Sequence, residues 1–418
     1  MQCRIQGITH NGEGVARIEG KATFIPFAIP GETVEVEIME KKKNYNRARL
    51  LEVIESSPHR KEPLCPHYYE CGGCSYQHVA YDYQLKLKRE VVQNNISRIG
   101  KLDVTVNPVI ASPQEYRYRN KVTWHFDNGR LGYYQAGTNN LLEIRTCKLI
   151  SEKMEQVTNS IKEYMPELPL TQNSNLIVRE SSPNNEIMVV VTNLGKKIHK
   201  SLVKKMADQI DSLIVTYQGK NGYETIWGND KLIEQVNKVN ISLSPGAFFQ
   251  VNHQQMERII AILQDYLDLK KDETLLDAYC GAGSIALALA SKVKEVVGIE
   301  NYSPAIDDAI LNARENALPN YEFIAGACET ILPKLNKRFD KVIVDPPRSG
   351  LKKEVIEAIA KVNPKKIAYV SCNPATLARD LAIFKELNYQ IKELQPLDMF
   401  PQTMHVETVV LLSHKNSR

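Results

Sequence analysis

Four short stretches of this 418-residue chain carry residue types that can do chemistry, and each ends or follows an apolar run. They are Asp277-Ala-Tyr-Cys-Gly-Ala-Gly283, Glu300 after VVGI, Asp345-Pro-Pro-Arg348 after KVIV, and Ser371-Cys372-Asn373-Pro374 after IAYV. Small residues in the first stretch let backbone approach a ligand closely. Glu300 lies 23 residues beyond Asp277, where a carboxylate can accept both hydroxyls of an adenosine ribose. The phosphate-loop pattern GxxxxGKS/T is missing, and so is the third glycine of GxGxxG. An adenosine cofactor without a pyrophosphate fits that compact turn: S-adenosylmethionine first, NAD second. The prolines after Asp345 stiffen a rim beside this pocket. A single cysteine in a core is usually inert packing. Cys372, however, stands just past a strand and before a helix N-terminus, where a thiolate is expected to be stabilised and to face a ligand. Glu407, in His405-Val406-Glu407-Thr408, reads either as a base or as an outward-facing strand residue.

A cysteine and a carboxylate beside a methyl donor suit one reaction. Thiolate addition to C6 of uracil moves negative charge onto C5 and O4, and C5 then takes the methyl group. A base removes the C5 proton, and the thiol leaves by elimination.

The elements that must hold these groups form three units. From about residue 253, apolar runs of four to six residues alternate with helical stretches. That pattern predicts parallel strands buried on both faces, a doubly wound α/β domain whose ligands gather at the strand carboxyl ends. We place this domain at 248–418. Residues 1–57 hold five short β-prone runs and predict an OB-like barrel. Its Lys41, Lys42, Lys43, Tyr45, Arg47 and Arg49 crowd one loop and the strand after it, either as a solvated turn or as a grip on nucleic acid. Residues 58–247 read as a mixed α+β domain, with a polar helix at about 78–99 that can pack on the C-terminal domain instead.

Composition narrows the class. No apolar run approaches the length of a membrane span, and the N-terminal residues lack the apolar stretch of a signal peptide, so a soluble cytoplasmic protein is expected. Net charge is +4, and the excess lies in residues 58–130, with 11 basic against 7 acidic groups. That points to a local polyanion-binding face. Eight cysteines are too few for a disulfide scaffold, yet Cys65, Cys71 and Cys74 fall within ten residues.

Five ordered blocks carry a resemblance over essentially the whole chain: FFQVN at 248–252, DAYCGAGSIALALA at 277–290, VDPPRSG at 344–350, SCNPATLARD at 371–380 and HVETV at 405–409. The sequence closely resembles the RNA uracil-5-methyltransferase family, its iron–sulfur ribosomal RNA branch in particular. The resemblance implies a class I, Rossmann-like methyltransferase domain and an N-terminal TRAM domain that binds RNA. It implies Cys372 as the nucleophile and Glu407 as the proton-abstracting base. Gln250, Tyr279, Glu300 and Asp345 match S-adenosylmethionine-binding positions, and Phe248 helps to shape the pocket. It further implies a [4Fe–4S] cluster on Cys65, Cys71, Cys74 and Cys147; four thiolates can equally hold zinc, the less favoured occupant. Cys3, Cys280 and Cys328 read as structural.

On the family fold Lys86, Lys88, Arg89, Arg117, Arg119 and Lys121 are expected near the RNA. The expected substrate is a structured loop of 23S ribosomal RNA, with transfer RNA as the alternative. Cytosine-5 methylation fits the SCNP and HVETV blocks less well. A non-catalytic RNA-binding or folding factor is the alternative of another class.

Overall fold

In a computed structural model, which describes residues 1–210, 213–219 and 222–415, the chain forms three large sheets and one separate hairpin. The N-terminal sheet has six strands, Gln2–Arg4, Gly7–Ile8, Gly14–Ile18, Lys21–Ile25, Thr33–Lys41 and Tyr45–Glu55. The expected first run, 2–8, breaks into two pieces that pair at opposite ends of the sheet. Gln2–Arg4 pairs with Thr33–Lys41, and Gly7–Ile8 pairs with Gly14–Ile18. One bent strand therefore serves both edges and closes the sheet, which protects edges that would otherwise invite pairing. Ile5, Ala16, Ile18, Ile25, Val34, Val36 and Ala48 fill the interior. Glu32 is fully buried, and Arg60 clasps it bidentately (Nε–Oε1 2.6 Å, Nη2–Oε2 2.7 Å), which fastens the barrel to the connector that follows.

The central sheet has seven strands. In spatial order they are Gly222–Trp227, Leu213–Gly219, Ile187–Thr192, Asn175–Glu180, Lys121–Asp127, Arg130–Tyr134 and Leu141–Glu143. Helices Glu152–Tyr164 and Lys200–Ala207 contribute Met154, Val157, Ile161, Leu202, Val203 and Met206 to its core.

The C-terminal sheet also has seven strands, labelled here in chain order: β1 Thr274–Ala278, β2 Glu295–Glu300, β3 Tyr321–Ala325, β4 Lys341–Val344, β5 Lys366–Ser371, β6 Tyr389–Leu397 and β7 Glu407–His414. Their spatial order is β3-β2-β1-β4-β5-β7-β6. The first five strands are parallel, and β7 inserts antiparallel between β5 and β6. The order reverses between β1 and β4, the place where such sheets open a crevice for ligand. Apolar side chains cover both faces, in two clusters.

Two elements upstream of residue 248 belong to this C-terminal core. The hairpin Leu232–Val236/Val239–Leu243 contributes Val236, Ile241 and Leu243, and helix Tyr81–Arg98 contributes Val92 and Ile96. The same helix corrects the expected RNA-facing charges. Lys88 is fully buried and binds Asp398 (2.5 Å) and the Phe400 carbonyl (3.1 Å). Arg89 donates twice to the Val106 carbonyl, and Arg117 donates to Glu155 and to the carbonyls of Cys147 and Ile150. Arg119 and Lys121 are mostly buried, the latter with its ammonium pushed down to about 8 by that burial. Of the six, only Lys86 is exposed. Counting charge along a sequence cannot separate a solvated cation from one that pins two elements together. Among the described residues no helix is long and apolar enough to cross a membrane.

Candidate active site

Strand register sets the geometry. Ala278 of β1 lies beside Ile299 of β2 and Val344 of β4, so Tyr279, Glu300 and Asp345 form one row at the carboxyl edge. Two backbone donors hold the Glu300 carboxylate: Gly281 N to Oε2 (3.2 Å) and Tyr302 N to Oε1 (2.8 Å). Tyr279 takes a left-handed conformation (φ 72°), rare for a residue with a Cβ, and its amide donates to the Ile299 carbonyl (2.8 Å). Gly281 is also left-handed (φ 54°), and a Cβ built there would meet nothing within 4 Å, so its backbone borders open space. Asp277 is buried, and among the described residues neither of its carboxyl oxygens has a hydrogen-bond partner. Burial, then the charges of Asp345 and Glu300, raise its carboxyl well above the usual carboxylate range. A fixed acceptor, a glycine facing open space and an unpaired buried carboxyl suit a polar, cationic nucleoside cofactor. Gln250 is buried in the segment that leads into helix His253–Leu267, and Asn120 Nδ2 holds its carbonyl (3.3 Å). Phe248 in the same segment is 65% exposed.

Cys372 and Glu407, the expected nucleophile and base, lie on the other side of β4. Ser371 pairs with Thr408, which places Cys372 and Glu407 at the same end of neighbouring antiparallel strands. Asn373 begins helix Pro374–Glu386, accepting from the Ala375 amide (3.1 Å). Cys372 lines a 240 Å³ cavity with Arg348, Met404, His405, His10 and Asn11.

The expected stabilised thiolate is corrected here. Burial first, and then the Glu407 charge, push the Cys372 thiol up to about 11. The helix N-terminus is one contribution among several, and a nearby carboxylate opposes it. Glu407 is itself 2% exposed, and burial and Asp345 raise it well above its ordinary range. Burial raises Asp345 to about 7. Arg348 acts in the opposite direction, favouring the charged forms of both Cys372 and Glu407. Residue types and spacing alone assign Arg348 no role. Its place just past two prolines, on the rim that carries Asp345, was the available signal.

Cys65, Cys71, Cys74 and Cys147 line one small cavity together, with Tyr133 and Arg119 in its wall. Burial raises the Cys71 thiol to about 11 and that of Cys74 to about 12. Among the described residues, the buried Nε of Arg119 finds no hydrogen-bond partner. Among the described residues, no three His, Cys, Asp or Glu side chains form a group able to hold a metal ion, so the expected metal site is not completed in this structure. Cys280 and Cys328 are buried, and Cys3 is partly buried against the barrel core.

Comparison with known proteins agrees with this architecture. Residues 80–415 match the model of the tRNA (uracil-5-)-methyltransferase family, and residues 3–51 match the TRAM domain. An uncharacterized RNA methyltransferase of Clostridium tetani is 39% identical, over 98% of this chain and 95% of its own. One of Halalkalibacterium halodurans is 35% identical, over 100% and 97%. The crystal structure of Pyrococcus abyssi tRNA (uracil-54, C5)-methyltransferase with S-adenosyl-L-homocysteine superposes with a TM-score of 0.80. It is 28% identical and covers 99% of each chain. With its TRAM barrel, its methyltransferase sheet and a family match across most of its length, the chain belongs to the tRNA (uracil-5-)-methyltransferase family of S-adenosylmethionine-dependent RNA-modifying enzymes.

Proposed function

We propose that this RNA uracil-5-methyltransferase forms 5-methyluridine in a structured loop of 23S ribosomal RNA, with Cys372 as covalent nucleophile and Glu407 as base. The observation that carries the chemistry is the pairing of Ser371 with Thr408, which sets Cys372 beside Glu407, next to the row Tyr279, Glu300 and Asp345. Cys372 adds to C6 of the uracil, and the displaced electron pair spreads over C5 and O4. S-adenosylmethionine supplies an electrophilic methyl group for C5. Glu300 accepts from the ribose hydroxyls, and Gln250, Tyr279 and Asp345 complete the cofactor pocket. Arg348 offsets the carboxylates and favours the thiolate. Glu407 then takes the C5 proton, the C5–C6 double bond re-forms, and the C6–S bond breaks with its electron pair to return the Cys372 thiolate.

The resemblance of the five sequence blocks to the ribosomal branch supports ribosomal RNA; the bacterial relatives are named only as RNA methyltransferases and fit either RNA. The archaeal structure, named for uracil 54 of tRNA, favours transfer RNA as the second reading. The test is RNA that carries 5-fluorouridine, incubated with the protein and S-adenosylmethionine. Fluorine cannot leave as a proton, so a stalled protein–RNA adduct is expected, and it should vanish in Cys372→Ala. RNA binding with neither adduct nor methyl transfer would instead indicate a non-catalytic factor. Mapping of 5-methyluridine in RNA from cells lacking the protein identifies the substrate: loss in 23S rRNA supports this reading, and loss in tRNA alone supports the second.

For the four cysteines we propose a structural [4Fe–4S] cluster. The support is four thiols around one cavity, with an unpaired guanidinium nitrogen in its wall to balance a cage of net negative charge. Protein purified without oxygen should contain about four irons and four sulfides per chain, and Cys74→Ser should lose them. One zinc per chain, or no metal, would overturn this.

A further inference from the structure

Two side chains in the wall of the Cys372 cavity come from neither the methyltransferase sheet nor the cofactor row. His10 and Asn11 belong to the turn between barrel strands Gly7–Ile8 and Gly14–Ile18. Both are exposed, and among the described residues neither side chain has a hydrogen-bond partner. The turn beneath them is tightly fixed. Thr9 Oγ1 accepts from the amides of Asn11 (3.2 Å) and Glu13 (3.1 Å), and the Gly12 amide donates to the Thr9 carbonyl (3.0 Å). Gly12 is buried and left-handed (φ 78°). A Cβ there would lie 3.1 Å from Tyr76 Cε1 and 3.2 Å from Met404 Cβ. The barrel turn is thus wedged between the connector and the loop that leads to Glu407. Met404 is further tied to the connector by its amide, which donates to Ser75 Oγ (2.7 Å).

A rigid backbone that presents an unpaired carboxamide and an unpaired imidazole at the mouth of a nucleophile's cavity is suited to recognition. A uridine reaches Cys372 only after leaving its stack, and its neighbour must then be held without its stacking partner. Asparagine can pair with a base edge through a donor and an acceptor, and histidine can stack on a base face. We infer that His10 and Asn11 form a recognition subsite for the nucleotide adjacent to the target uridine, so that the barrel takes part in choosing the uridine as well as in holding RNA. This rests on the reading that Cys372 attacks a uridine in RNA.

The experiment uses the full-length protein and a synthetic stem-loop copied from the RNA segment in which the wild type forms 5-methyluridine. Each neighbour of the target uridine is replaced in turn by the other three bases, and single-turnover rates are measured against RNA concentration. Wild type should prefer one neighbour, and Asn11→Ala or His10→Ala should shrink that preference by roughly tenfold, through weaker RNA binding. Affinity for S-adenosylhomocysteine should match wild type. Unchanged ratios in the variants, a uniform loss across all RNAs, or a wild type indifferent to both neighbours would each overturn the subsite. Failure of the underlying reading is separate: wild type would then form no 5-methyluridine in any RNA.

Discussion

At the scale of single residues, the site is a set of acids that oppose one another. Cys372, Glu407 and Asp345 each hold their protons more tightly than in water: burial favours the neutral form of all three, and neighbouring carboxylates add to it at Cys372 and Glu407. A negative Glu407 disfavours a negative Cys372, so Glu407→Gln should lower the Cys372 pKa. Alkylation of the Cys372 peptide, followed by mass spectrometry against pH, checks this. The variant should react faster than wild type only above the pH at which Glu407 ionises; below it the wild-type carboxyl is already neutral and the two should coincide. In turnover the same variant should accumulate the methylated covalent adduct, because addition survives while removal of the C5 proton does not. Methyl transfer by wild type should rise with pH from neutrality towards 9, since more thiolate forms as the thiol is titrated. The places of Cys372, Asp345 and Glu300 at strand ends were legible because each closes a short apolar run in a strand–helix alternation. The sense of the Cys372 shift was not legible, since it depends on Glu407, 35 residues away in the sequence.

Elements place those residues, and several are joined by buried polar bonds rather than by apolar packing alone. Helix Tyr81–Arg98 is anchored to the segment after β6 by Lys88 and Asp398, both fully buried. Lys88→Ala would leave a buried carboxylate unpaired and should cost about 3–5 kcal/mol, read as a lower denaturation midpoint. Lys88→Met combined with Asp398→Leu should recover much of that loss, because an apolar pair needs no compensating charge. The strand–helix alternation after residue 253 revealed the doubly wound sheet. The insertion of β7 between β5 and β6 could not be read, because pairing order leaves no mark on local periodicity. The barrel strands were legible from turn residues and alternation, whereas the split of the first run was not: closure depends on where Thr33–Lys41 and Gly14–Ile18 sit.

Across the whole molecule, the surface available for RNA differs from the one that charge counting suggested. Residues 58–130 hold the excess of cations, yet most of these support the fold. The barrel hairpin keeps its cations outside: Lys41, Lys42 and Lys43 are exposed, beside Tyr45. Changing all three to Glu should weaken RNA binding and flatten its dependence on salt. The slope of log affinity against log salt should fall by roughly 0.7–0.9 for each phosphate that is no longer neutralised. An unchanged slope would place the RNA footprint elsewhere.

Helix Tyr81–Arg98 also has a consequence in time. Its Lys88 bonds to Asp398, 310 residues later in the chain. At about 5–20 residues per second of synthesis, roughly 15–60 s pass between the emergence of the two ends of that bond. During translation the helix has only Leu102 and Val106 of its apolar cluster beside it at first, since the rest of the core around Val92 and Ile96 lies on later elements. The catalytic half therefore cannot mature progressively behind the ribosome, and its last strands to be made complete the structure around its first helix.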